Sequence, residues 1–326
     1  MRRSLIAFST LLAASGAALA ADVVGFEPAA PVSEPAPARS VLLGGGVGFA
    51  PAYEGSDEYR VFGFPIVSYN SGREGPRRFE FRALDDIRLH ALRFGGLSFG
   101  PLAGYSFGRE EDASDRLAGL GDVDGGLVLG GFASFDTEVA TGVTLGADIA
   151  VSSQVTGDAF DERSFLGLPV PVRDRVEENY GYGYTVDFGA SAEFDLSPRL
   201  NLATRVGAEY ASEEYMRTFF GVNGSQALAA FERGNSISTF GTPGGPFTPL
   251  AAGVGVPDDQ LFANQIGGQI KNVYINANAA FDVTDSFQVR AGLGYSRLIG
   301  DAADSPISVS DNQFTGSLGA AYRFRF

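Results

Sequence analysis

A chain with one histidine, His90, one lysine, Lys271, and no cysteine has few groups that can do chemistry. The missing thiols exclude cysteine nucleophiles and Cys-ligated metal sites. A serine nucleophile would need an imidazole base beside it, and only His90 can supply one. A carboxylate–imidazole site would need an acid against the same ring. Asp86 shares a strand face with His90, but four residues along an extended chain span ~13 Å, too far for a hydrogen bond. Asp85 falls on the opposite face. A partner across a sheet stays open, and a packed, structural His90 is the expectation.

Glu110, Glu111, Asp112, Asp115, Asp122 and Asp124 form an acidic run. It could hold a divalent cation and bridge it to anionic lipopolysaccharide phosphates. No calcium-loop spacing follows Asp122-Val123-Asp124-Gly125, so a solvated loop that resists aggregation is the simpler reading. The Gly44-Gly45-Gly46-Val47-Gly48 cluster lacks a GxGxxG or GK[ST] context, and small residues on a wall account for it better than a phosphate cradle. No metal or cofactor is expected.

The elements that must carry these groups begin after the N-terminus. Met1-Arg2-Arg3 leads into an apolar run from Leu5 to Leu19, interrupted by Ser9, Thr10, Ser15 and Gly16, and then Ala18-Leu19-Ala20. A basic start, a short apolar core and a small-x-small end predict an export signal over 1–20, too short and polar for a ~20-residue membrane helix. Residues 21–39, with Glu27-Pro28-Ala29-Ala30-Pro31 and Glu34-Pro35-Ala36-Pro37, read as an extended periplasmic tether. The 39 acidic against 24 basic residues argue against a nucleic-acid partner and against electrostatic docking on anionic lipid.

The 44 glycines and 39 Phe and Tyr residues (27 and 12), with no helix-length apolar run after the leader, point to short amphipathic strands. From about residue 40 the period is two. Phe314, Gly316, Leu318, Ala320, Tyr322, Phe324 and Phe326 alternate with Thr315, Ser317, Gly319, Ala321, Arg323 and Arg325. Phe287, Val289, Ala291, Leu293 and Tyr295 alternate with Gln288, Arg290, Gly292, Gly294 and Ser296. The strands are about ten residues or longer, the length of a tilted membrane crossing, and aromatics gather at their ends. A membrane admits strands only as a closed barrel, because every backbone polar group must be paired. The expectation is an all-β, antiparallel, up-and-down transmembrane barrel over 40–326.

Counting back from a periplasmic C-terminus predicts strands near 313–326, 286–298, 270–284, 199–210, 182–196, 142–154, 124–138, 96–108, 85–94, 77–83, 58–70 and 40–52. That is about twelve, with ten as the fallback if 77–94 is not split near Ala83-Leu84-Asp85-Asp86. Ser197-Pro198-Arg199 and Thr284-Asp285-Ser286 are short turns. The stretches 109–122, 156–179, 211–268 and 299–312 are long and belong outside. Tyr322, Phe324 and Phe326 form the expected assembly signal. Arg205, Arg290, Arg323 and Arg325 share the inner parity with Asp187, Glu193, Glu209 and Asp282. This charge ladder could pair strands across the wall or select solutes. The structural use is favoured because about twelve strands enclose less space than the ~16–18 of open porins.

Four motifs carry a resemblance. They are Ala50-Pro51-Ala52-Tyr53-Glu54-Gly55-Ser56-Asp57-Glu58-Tyr59-Arg60; the stretch from Gly104-Tyr105-Ser106-Phe107-Gly108-Arg109 to Gly119-Leu120-Gly121-Asp122-Val123-Asp124-Gly125; Tyr215-Met216-Arg217-Thr218-Phe219-Phe220-Gly221-Val222; and Gly294-Tyr295-Ser296-Arg297-Leu298-Ile299-Gly300 through Ile307. In this order they resemble the MipA/OmpV family of MltA-interacting outer-membrane proteins, from about residue 40 to 326. The resemblance implies a Gram-negative outer-membrane barrel in contact with lipid and lipopolysaccharide. Through the founding branch it implies a non-enzymatic scaffold that links a lytic transglycosylase to a bifunctional penicillin-binding protein. Through another branch it implies a surface antigen or adhesin. A small channel for polar solutes is the alternative that the barrel itself suggests. The stretches 157–179 and 221–265 depart from the family pattern by their length. A murein scaffold would work through the tether and the short turns, whereas the motifs mostly face the other side.

Overall fold

Strict alternation of apolar and small or polar side chains gives each strand one face for lipid and one for an interior. The computed structural model describes residues 40–70, 79–81, 86–157, 164–165, 168–169, 182–222, 226, 230, 233–234 and 266–325. The expected leader, the tether and Phe326 lie outside the described residues.

The strands are β1 (Ser40–Pro51), β2 (Tyr59–Asn70), β3 (Phe79–Phe81), β4 (Ile87–Leu89), β5 (Leu92–Phe94), β6 (Leu97–Ser106), β7 (Gly126–Ala140), β8 (Val143–Gln154), β9 (Ser164–Phe165), β10 (Leu168–Pro169), β11 (Thr185–Ser197), β12 (Leu200–Ala211), β13 (Gln269–Asp282), β14 (Phe287–Leu298) and β15 (Asn312–Arg325); helix α1 (Glu213–Phe220) lies between β12 and β13. The sheet order is β2-β1-β15-β14-β13-β12-β11-β8-β7-β6-β4-β3, and β5 also pairs with β6. Paired strands run antiparallel throughout the described sheet, and first and last strands meet from Ser40↔Arg325 to Phe49↔Gly316. This is the expected up-and-down wall of twelve strand positions. The expected strand at 85–94 is two pieces, β4 and β5, interrupted at His90 and Ala91; both stay on β6, and Ala91 N–H still donates to the Phe99 carbonyl at 3.0 Å. The predicted break at Ala83–Asp86 falls on residues that, apart from Asp86, lie outside the described set, as does the β2–β3 connection at 71–78. β9 and β10 pair with each other, inside the stretch read as loop.

No described helix is long and apolar enough to cross a membrane; the strands take that role. Val47, Val61, Val67, Leu129, Ile149, Ile275, Leu293 and Leu318 face outward and exposed, which a bilayer requires and water would penalise. Tyr322 and Phe324 stand on the same exterior with ring centroids 4.9 Å apart. Short turns at Gly95–Gly96, Thr141–Gly142, Pro198–Arg199 and Val283–Ser286 join strands at one end, and the long segments leave from the other. That asymmetry is the outer-membrane pattern.

Candidate functional site

Inside the wall, the charged residues of the inner face touch. Arg205 on β12 binds Asp187 on β11 at 2.5 Å and Asp148 on β8 at 3.1 Å. Arg88 on β4 binds the same Asp148 at 2.9 Å and Asp86 at 2.8 Å. Tyr274 on β13 donates its hydroxyl to Asp187 at 2.6 Å, and the Arg205 guanidinium carbon lies 5.2 Å from the centre of the Tyr274 ring. β4 and β8 are separated by β6 and β7, three strand spacings or ~14 Å along the wall. The Arg88–Asp148 contact therefore leaves the wall and bridges interior space. Arg88 and Asp148 are only 1% and 3% exposed. Gly189 and Gly207 make room for the bridge. A Cβ on Gly189 would come 2.8 Å from the Arg205 guanidinium carbon, and one on Gly207 would collide with the Tyr274 hydroxyl.

The rest of the expected ladder divides into separate groups. Arg323 binds Asp282 at 3.2 Å, Gln288 donates to Asp282 at 2.8 Å, and Arg290 donates to Gln288 at 2.6 Å. Glu193 accepts from Asn201 at 2.8 Å, and Arg325 reaches the Asp285 carbonyl at 3.0 Å. Glu209 binds Lys271 at 2.8 Å. Arg88, Asp148 and Lys271 were not among the sequence candidates. Asp148 could have been found from its inner parity on β8. Lys271 could not, because strict alternation would set it beside Val273 on the lipid face. The ladder shifts register here, with Glu209 opposite Asn272 and Tyr210 opposite Ile270. This bulge turns Lys271 inward, the re-aiming that bulges perform.

At the outer end the four sequence motifs meet. Ala52, Tyr53, Ala113, Leu117, Leu120, Val222, Ala230 and Ile307 form one buried cluster drawn from four loops. Helix α1 starts because Ser212 accepts from the Tyr215 N–H and Glu213 and Glu214 occupy its first turn. Its buried side packs Met216 and Phe220 against Ala211, Ile266, Leu298 and Ala302. Ala211 and Leu298 belong to the inner faces of β12 and β14, so α1 sits in the mouth of the barrel. Arg109 and Ser305, from two other loops, donate to the carbonyls of Phe219 and Phe220 at 2.7 and 2.6 Å and cap its C-terminal end. Tyr53 and Arg116 fasten the last loop through the Ile307 and Pro306 carbonyls, at 2.8 and 2.6 Å. Burial pushes the Tyr53 and Tyr215 hydroxyls up and the Arg109 guanidinium down to about 10. Beneath α1, Lys271 is 1% exposed, held by Glu54 at 2.6 Å and Glu209 at 2.8 Å, with its ammonium 5.0 Å from the Tyr215 ring.

One expectation changes here, and one open point closes. The acidic run is not simply solvated: Glu111 is buried, accepts from the Gly121 N–H at 3.0 Å and pairs with Arg233, while Asp122 caps the Glu111 N–H at 2.7 Å. Among the described residues no three acids or histidines gather as a metal site. His90 has a cross-strand partner after all: its Nδ1 lies 2.8 Å from the Ser98 hydroxyl, and its ring meets Phe132 edge-on at 4.8 Å. Asp86, the acid nearest in sequence, is held by Arg88 instead.

The family model described as MltA-interacting protein MipA matches residues 43–246 and 255–324. The chain belongs to this family. The MipA match takes in the four motifs that meet in the cap and every residue of the charge bridge. No curated protein matches the sequence. Among solved structures the MipA-family chain is similar to OmpT, an outer-membrane protein of Vibrio cholerae (8% identity, TM-score 0.31, 76% of this chain and 55% of that chain). It thus spans about half of that OmpT chain. It is also similar to the toluene transporter TbuX of Ralstonia pickettii (11%, 0.35, 94% and 99%) and the outer-membrane channel DcaP of Acinetobacter baumannii (10%, 0.36, 90% and 100%). Likenesses this low say nothing of activity.

Proposed function

We propose that this chain is a non-enzymatic anchor in the Gram-negative outer membrane, exported by its leader, that holds a lytic transglycosylase and a bifunctional penicillin-binding protein at the periplasmic surface. Membership of a family described by its interaction with a lytic transglycosylase carries this reading. The interior supports it: the Arg88–Asp148–Arg205–Asp187 bridge and the seated α1 occupy the space that a solute path would need. An anchor needs a rigid barrel and an exposed periplasmic side, and no catalysis of its own. Affinity capture of the full-length protein from detergent-solubilised envelopes is expected to enrich a lytic transglycosylase and a penicillin-binding protein. Capture that enriches neither sinks the anchor reading.

The channel alternative makes a separate prediction. In planar bilayers the intact protein is expected to give no stepwise conductance. Discrete steps that vanish when a polar solute is added would establish a solute path in place of the anchor.

A further inference from the structure

β7 is longer than its neighbour on one side. β6 ends opposite it at the pair Leu97↔Phe135, and the Asp136 N–H makes one further bond, 3.0 Å to the Gly96 carbonyl. β7 then runs on to Ala140; among the described residues it is held there from the other side alone, by β8 through Thr137↔Leu145, Glu138↔Thr144 and, after a bulge, Ala140↔Val143. All six residues from Phe135 to Ala140 are exposed, Val139 by 55%. In an antiparallel ladder alternate residues turn their backbone groups to opposite sides. Asp136 bonds toward β6, so Glu138, the last residue before the bulge, presents its N–H and C=O to the same side, where no described backbone group meets them. The result is a short sheet edge projecting from the end that carries the short turns.

Its charge selects what it can receive. The hairpin carries Glu138, with Asp195 across Gly142 (Asp195 N–H to the Gly142 carbonyl, 2.8 Å), and residues 117–162 hold no lysine or arginine. At the Val283–Ser286 turn, by contrast, Thr284 and Phe287 exchange backbone bonds and the Arg323 N–H donates to the Ser286 carbonyl at 2.7 Å. An unpaired edge is a template for another strand, and proteins use such edges for recognition. We propose that the Asp136–Gly142 edge is where the periplasmic partner docks, adding an extended, lysine- or arginine-bearing segment alongside β7. The inference rests on the anchor reading and names its contact. A like-charged glycan would be repelled, and a basic strand gains hydrogen bonds and charge pairing together.

The test uses the full-length protein in intact outer membranes. A photo-crosslinking residue is placed at Val139, at Ser286 in a closed turn, or within residues 21–39. Light is expected to join Val139 to a periplasmic enzyme through a basic segment identified by peptide mapping, with little product at Ser286. Glu138→Gln is expected to lower the yield at least about threefold, since it removes one member of an interfacial charge pair. Glu138→Pro removes the edge donor while the β8 side of the ladder is kept, and should lower it further. Heat-modifiable migration in gels checks that each variant is a folded barrel. Product at Ser286 or residues 21–39 but not at Val139 overturns the docking edge and leaves the anchor reading standing. Linkage of Val139 to murein glycan, with no protein, also overturns it. No enzyme product at any of the three positions removes the anchor reading itself.

Discussion

Lys271→Met is expected to destabilise the folded protein by about 3–5 kcal/mol, the usual loss when one member of a buried ion pair is removed. The ammonium is 1% exposed and is shared by Glu54 and Glu209, which are themselves 18% and 12% exposed. Removing it leaves two carboxylates facing each other in a nearly dry site, and takes the cation from the Tyr215 ring that anchors α1. The cap is therefore expected to open locally, and chymotrypsin should cut at Tyr215 and Phe219 faster than in the parent protein. Combining Lys271→Met with Glu54→Gln and Glu209→Gln should restore much of the stability, because replacing a whole buried ion cluster with neutral groups is often close to neutral. Urea unfolding in lipid vesicles gives the energies and limited proteolysis the opening. A single variant within about 0.5 kcal/mol of the parent, the range of ordinary surface substitutions, or a triple variant as unstable as the single one, contradicts this account of the cap.

The same lysine marks where the sequence stops being legible. Alternation along 313–326, 286–298 and 199–210 reads out as β15, β14 and β12 within a residue or two, because a membrane wall obeys period two strictly. One inserted residue at the Glu209/Tyr210 register shift reverses the parity of Lys271, and no local pattern announces it. The interruption at His90 divides a strand that the pattern read as one. The charge ladder was visible as parity, but the choice of partners was not. Arg88 and Asp148 meet across the interior, 60 residues apart in the chain, where parity says only that both face inward. The cap is the extreme case. Its four motifs were read as separate outward loops, yet Tyr53 bonds the Ile307 carbonyl across 254 residues. Residue types showed that those loops are distinctive; only the closed wall brings them together.

The second large effect concerns that interior bridge, and charge counting sets its sign. Among the described residues, Arg88 and Arg205 face Asp86, Asp148 and Asp187, one carboxylate more than these two cations. Arg205 is the cation shared by Asp148 and Asp187. Arg205→Met takes the shared cation from both carboxylates, leaving Asp148 its Arg88 contact and Asp187 its Tyr274 hydroxyl, and is expected to cost about 3–5 kcal/mol. Asp148→Asn acts in the opposite direction on the balance: Arg88 keeps Asp86, Arg205 keeps Asp187, and the cluster becomes neutral. Its cost is the weakening of its hydrogen bonds with two guanidinium groups, one from Arg88 and two from Arg205, about 1.5–3 kcal/mol. Asp148 is nevertheless the most enclosed carboxylate of the set at 3% exposure, so a view based on burial alone ranks its replacement as the worse of the two. Urea unfolding of both variants in the same vesicles decides between the rankings. If Asp148→Asn proves the more damaging, the bridge is governed by packing around Asp148 and not by the sharing of Arg205. If Arg205→Met is worse, adding Asp187→Asn to it should recover stability, since neighbours in one network are not additive. That recovery would identify the repulsion between Asp148 and Asp187 as the quantity that Arg205 suppresses.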